Sequence, residues 1–170
     1  SSTAKVHQIG GAEAYQTARS FGLDYAACFQ LLNKAEVYNE KHILVELQPA
    51  AAPVHPYLSY GLDPVSTDAA FHGLVALFAL LTGEADGAPY IPVRFGSVRF
   101  ASSAKAIASA VIEIQRFSPH SLKARIDLIA ADGTLVPSLD DCRFRRTWLR
   151  QHTTLETATF HYEAVPDAVE

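Results

Sequence analysis

The chain contains no methionine and only two cysteines. Without Met the natural start is absent, so the chain reads as a piece excised from something longer. Cys28 and Cys142 can form neither a disulfide framework nor a C-x-x-C pair, a usage that fits a reducing cytosol. Each reads as a small core side chain rather than a nucleophile. A basic surplus is also lacking: 14 Lys and Arg stand against 18 Asp and Glu, a formal net charge of -4. With the basic residues scattered, no field for phosphate backbones exists and nucleic acid is excluded as a partner. The longest apolar run, Leu74 to Leu81, has eight residues, where a bilayer span requires roughly 20. The start "SSTAKVHQIGG" has no apolar h-region. A soluble, cytoplasmic chain without a membrane partner is therefore expected. There is no G-x-S-x-G, P-loop, dinucleotide fingerprint or zinc spacing, and "FGSVRF" resembles a nucleophile elbow only superficially. Serine hydrolysis, nucleotide chemistry and metal hydrolysis have no support, and no metal site is expected.

What is present is a globular composition, 49% hydrophobic and 19% charged over 170 residues, enough for one domain with a sizeable core. "AEAYQTARSFG" has helical spacing through Ala14, Ala18 and Phe21, with Gly22 as C-cap. "HILVELQP" reads as a strand closed by Pro49. The Pro-rich "AAAPVHPYLSYGLDP" reads as loop. Asp63 then caps a helix that has Pro64 at its first position and runs to about Leu81. Ala70, Leu74, Leu77, Phe78 and Leu81 form its apolar face, which Phe71, Val75 and Leu80 widen; a helix this apolar is buried. Beyond "TGEADGAPY" come strand-like runs only: "IPVRFGSVRFA", "SAVIEIQRFS", "LKARIDLIAADGTLVPSLDDCRFRRTWL" and "ATFHYEAV". Asp132 and Gly133 mark a hairpin turn among them. The order is α+β, one helix wrapped by one antiparallel sheet.

One polar pair interrupts the buried helix. Asp68 and His72 are four apart, so they share a helical face about one turn from each other. A carboxylate in an apolar pocket holds its proton more tightly, as a general acid near neutral pH requires, which makes the pair a candidate site. A structural reading stands beside it: Asp68 lies near the helix start, where the macrodipole favours negative charge, and His72 satisfies it.

"DPVSTDAAFHG" resembles the "H-P-x-x-L-D-x-x-x-Q/H" signature in the C-terminal half of polyketide synthase dehydratase domains. "GLDYAACFQ" resembles their "G-x-x-Y-G-x-x-F-Q", "YIPVRFGSVRF" their "L-P-F-x-x-x-x-V-x-L", and "LIAADGTLVPSLDDCRFRR" their "L-x-D-x-x-G-x-x-V-x-x-x-x-x-L-x-x-R". "FHYEAVP" resembles the strand that leads into the following linker. The ordered set covers about Ala12 to Pro166. The resemblance implies a double hotdog fold of which this chain is the second unit: residues 1–11 a tail or linker, 12–152 the hotdog domain, 153–170 a final strand and linker. It implies removal of water from a β-hydroxyacyl thioester to give an α,β-unsaturated thioester. The substrate is presented on the phosphopantetheine arm of an acyl carrier protein, and no other cofactor is implied. A His on the first hotdog is the base. By position Asp68 is the general acid, His72 orients it, Tyr25 borders the site, and Phe29 falls on the motif's Phe as a substrate contact. The partners implied are the carrier protein and the N-terminal hotdog; an unpaired half, with an exposed sheet edge and apolar face, is also expected to dimerise.

The match has breaks. The first-hotdog motif "H-x-x-x-G-x-x-x-x-P" is absent; His55, Gly61 and Pro64 have the wrong spacing. Asp63 replaces the family's His before Pro64, and Ala26 replaces a Gly after Tyr25, which narrows a tunnel. Two alternatives therefore stand beside the enzyme half: an inactive dehydratase-like module for docking or dimerisation, and a free-standing hotdog thioesterase or hydratase using Asp68 to activate water.

Overall fold

A computed structural model describes residues 4–49, 62–82, 88–100, 105–147 and 149. Eight strands form one antiparallel sheet: β1 (Lys5–Gly10), β2 (Leu32–Tyr38), β3 (His42–Leu47), β4 (Tyr90–Arg94), β5 (Ser97–Phe100), β6 (Ile107–Phe117), β7 (Ser121–Ala130) and β8 (Leu135–Arg146). Their order is β1-β2-β3-β6-β7-β8-β4, and β5 pairs with β8 beside β4. Three helices complete the fold: α1 (Gly11–Ser20), α2 (Pro64–Phe71) and α3 (Leu74–Thr82).

The strand pattern determines which face closes on the helices. Along β7, Leu122, Ala124, Ile126, Leu128 and Ala130 are buried and the residues between them are not, the period of two that one covered face demands. Ala110, Ile112 and Ile114 of β6 and Ile43 and Val45 of β3 extend this surface. Against it lie Ala70, Leu74, Val75, Ala76 and Leu77, so the apolar helix is the core rod around which the sheet curls. This is the hotdog arrangement, as expected.

The rod is two helices rather than one. At His72 and Gly73 the hydrogen bonds tighten to i→i-3: His72 N–H to the Ala69 carbonyl and Gly73 N–H to that of Ala70, a 3-10 turn inside the expected 64–81 helix. Gly73 faces β3 so closely that a Cβ there would collide with the Val45 Cγ2 methyl, and Ile112 Cδ1 stands only 3.5 Å from it. The break is the local geometry that lets helix backbone rest on the sheet.

Other boundaries follow local chemistry. The Asp63 carboxylate accepts the Ser66 N–H at 2.9 Å and caps α2, with Pro64 behind it. α1 ends in a Schellman motif: Leu23 N–H reaches the Ala18 carbonyl and Gly22 N–H that of Arg19, with Gly22 at φ +84°. Gly133, at φ +81°, closes the β7–β8 hairpin at its expected place.

Three further points differ from the sequence reading. Residues 5–10, taken as tail or linker, are strand β1, antiparallel to β2; two strands meeting no hairpin dipeptide left no short-range signal. β2 itself has no counterpart in the sequence reading, and joins β3 through Asn39 and Glu40, both at positive φ, without glycine. The single strand expected over "IPVRFGSVRFA" is split into β4 and β5 at Phe95–Gly96. The loop expected at 50–61 and the strand "ATFHYEAV" lie outside the described residues. No helix among the described residues is long and apolar enough to cross a membrane.

Candidate active site

The site gathers where the rod is broken. Asp68 projects from the third position before the end of α2 and His72 stands at its C-cap. His72 Nε2 lies 3.1 Å from Asp68 Oδ2, so the i,i+4 contact read from sequence is made. Burial divides the pair: the His72 side chain is 3% exposed and that of Asp68 40%. The carboxylate sits at a rim, not sealed in an apolar pocket.

Two tyrosines enclose the imidazole. Tyr25, on the return segment after α1, packs its ring 4.0 Å from that of His72, centroid to centroid. Tyr15, on the buried face of α1, meets the same ring edge-on at 5.4 Å. Its hydroxyl lies 3.1 Å from His72 Nδ1, accepts the Leu32 N–H at 2.8 Å and is 3.4 Å from the Phe29 carbonyl. Sequence reading missed Tyr15, 57 residues from His72 along the chain; it named Ala14, Ala18 and Phe21 of that helix but not Tyr15. Gln30 donates its amide to the Tyr25 carbonyl at 2.7 Å and holds that segment in place.

Both phenols hold their protons tightly. Burial pushes Tyr15 up to about 12, against the opposing pull of the Leu32 amide, and the Asp68 charge adds to the rise. Tyr25 is raised further by burial first, then by the charge on Asp68 and by Tyr15. At neutral pH both are therefore neutral hydroxyls able to donate.

Beside Asp68 and His72 opens a cavity walled by Phe71, Phe78, Tyr90 and Phe144. Its volume is about 40 Å³, well below the roughly 300–1,000 Å³ of ligand pockets. An acyl tunnel is not enclosed by the described residues alone. Phe29, named from sequence as a substrate contact, is 37% exposed on the 3-10 turn Ala27–Phe29 and lies off this wall, whereas Tyr25 lies on it. Asp63 is occupied as an N-cap. Ala26 adopts an extended backbone (φ -62°, ψ 154°) that needs no glycine. Cys142 is buried as expected, but Cys28 is exposed on the 3-10 turn. Among the described residues no three His, Cys, Asp or Glu side chains converge as metal ligands.

The sequence matches the family model described as the polyketide synthase dehydratase N-terminal domain over residues 3–150. The chain belongs to the polyketide synthase dehydratase family. Its fold is that of solved dehydratase domains. The dehydratase domain of PpsC from Mycobacterium tuberculosis, solved in complex with C12:1-CoA, superposes with TM-score 0.72 at 21% identity, over 86% of this chain and 54% of that one. A trans-AT polyketide synthase dehydratase domain from Brevibacillus brevis gives 0.70 at 23%, over 82% and 48%. The dehydratase domain from the CurF module of curacin polyketide synthase gives 0.67 at 25%, over 86% and 54%. The chain thus spans about half the length of these dehydratases. None of the curated proteins matches it.

Proposed function

We propose that this dehydratase-family chain is the acid-bearing, C-terminal hotdog of a β-hydroxyacyl dehydratase. The observation that carries this reading is the Asp68–His72 pair: a partly exposed carboxyl, gripped through one oxygen by a buried imidazole, at the mouth of an apolar cavity. The matched family model is described as an N-terminal domain. The C-terminal assignment rests on the position of Asp68 in "DPVSTDAAFHG" and on the absence of the base motif from the sequence. In the reaction a His of the N-terminal hotdog takes the α-proton of the thioester. The C–H pair becomes the new C=C bond, the β C–O bond breaks, and Asp68 delivers its proton to the departing hydroxyl, which leaves as water. Tyr25 bounds the slot. The substrate arrives on the phosphopantetheine arm of an acyl carrier protein, and no further cofactor is assigned. The small cavity agrees with a site that a second surface completes, from the N-terminal hotdog and, in a dimeric parent, a second copy.

The test is Asp68→Asn in the full-length parent. Water loss from a β-hydroxyacyl carrier substrate should fall by at least about a hundredfold, the scale of general-acid catalysis, with an unchanged circular dichroism spectrum. Turnover near that of wild type would refute the assignment. The inactive docking module is a second reading, favoured by Asp63 standing where the family has His; an unaltered carrier-protein affinity without dehydration by the wild-type parent would select it.

A further inference from the structure

Tyr15 belongs to no motif used above, yet it touches His72 on the side opposite Asp68. Its hydrogen bonds have a direction. Leu32 contributes a backbone N–H, which can only donate, and the Tyr15 oxygen accepts it at 2.8 Å. The phenol proton must then go elsewhere, and the nearer of its two acceptors is His72 Nδ1 at 3.1 Å, against 3.4 Å for the Phe29 carbonyl. The second ring nitrogen, Nε2, faces Asp68 Oδ2 at 3.1 Å. A neutral imidazole has one donor and one acceptor nitrogen, and the partner of one determines the state of the other.

We propose that Tyr15 is a positioning residue that sets the tautomer of His72, so that Nε2 carries the proton and the chain runs from Leu32 N–H through Tyr15 and His72 to Asp68 Oδ2. The polarity matters because it decides where the acid proton of Asp68 resides. With Nε2–H donating to Oδ2, that oxygen is an acceptor and the carboxylic proton belongs on Oδ1, the oxygen His72 does not hold. In the opposite tautomer a bare Nε2 would draw the Asp68 proton inward, away from substrate. The buried phenol, neutral across the physiological range, keeps the donor in place. Tyr25 packs against the ring and Tyr15 meets its edge, contacts that go with the orientation in which Nδ1 faces Tyr15 and Nε2 faces Asp68. The functional consequence rests on the dehydratase reading; the tautomer itself does not.

The test is long-range ¹⁵N–¹H correlation of the full chain labelled with ¹⁵N-histidine, the His72 signal being identified by its loss in His72→Gln. Wild type should show Nε2 protonated and Nδ1 bare. The decisive variant is Asp68→Ala, which alters a half-exposed side chain and leaves Tyr15 intact. If Tyr15 sets the tautomer, Nε2–H persists there in about tenfold excess, the preference one buried hydrogen bond confers; the added change Tyr15→Phe should then lower that excess to the weaker intrinsic preference of a free histidine. An Nδ1–H tautomer or an imidazolium in wild type, with Tyr15 turned to the Phe29 carbonyl, would overturn the proposal. So would loss of the Nε2–H excess in Asp68→Ala while Tyr15 is present. Because this measurement involves no turnover, it can fail while Asp68→Asn still abolishes dehydration, and the reverse also holds.

Discussion

Asp63 is a structural residue at a position where the family carries a different one. It stands where the family carries His, beside the helix that bears Asp68, and its carboxylate is committed to the Ser66 amide and hydroxyl, while its carbonyl takes the Thr67 hydroxyl at 2.6 Å. Replacing a capping Asp by Ala removes about 1 kcal/mol from a helix. Asp63→Ala should therefore lower the free energy of unfolding by about that amount in urea titrations, and more than an exposed Asp elsewhere, such as Asp24. Asp68 and His72 are the other face of this scale. Their contact follows from four residues of helix and could be read off directly; their unequal burial could not, because it depends on Tyr15 of α1 and Tyr25 of the segment after it packing against the ring.

At the scale of elements, β8 combines two partners on one edge with breaks in register on both. β7 runs along one edge and both β4 and β5 lie along the other. Between β4 and β5, Gly96 donates to the Asp140 carbonyl and approaches Asp141 so closely that a Cβ there would lie 2.5 Å from that residue's own. Asp141, at φ +50°, is the bulge that makes room. Cys142 follows it, fully buried, and burial together with the charges of Asp140 and Asp141 pushes its thiol from 9.0 up to about 12. Its folded value lies above its unfolded one, so the native state keeps a proton that the unfolded chain releases. The stability this thiol contributes is whole below about pH 9 and is lost as pH rises from there toward 12. Cys142→Ala should thus lose less stability than wild type between pH 8.5 and about pH 11, narrowing the gap between the two proteins; parallel unfolding free energies across that range would contradict the burial of the thiol.

For the whole molecule, the decisive property is that the sheet has one covered face. Leu128 on β7 is fully buried against the rod, whereas Phe100 at the end of β5 is 60% exposed. Leu128→Ala should cost about 2–5 kcal/mol by cavity formation, and Phe100→Ala no more than about 0.5 kcal/mol despite removing the larger side chain. Equal shifts in the urea midpoint would mean that the curl of the sheet is wrong. The same curl brings α1 onto α3, which is how Tyr15 reaches a histidine on the other side of the core.

What the sequence by itself determined is everything whose physics is local. Asp63-Pro64 starts a helix, Gly22 ends one, Asp132-Gly133 turns a hairpin, alternation marks β6 as a half-buried strand, and a spacing of four joins Asp68 to His72. The tertiary structure alone decided what depends on contacts between distant segments. β1 and β2 were silent because a strand without turn signals is defined by its neighbour. The rod broke at Gly73 because Val45 approaches it from β3. The cavity is small because aromatic side chains from α2, α3, β4 and β8 meet over it. The proton polarity of the site, carried by Tyr15 and Leu32, arises from residues that meet only once the sheet has closed around the helices.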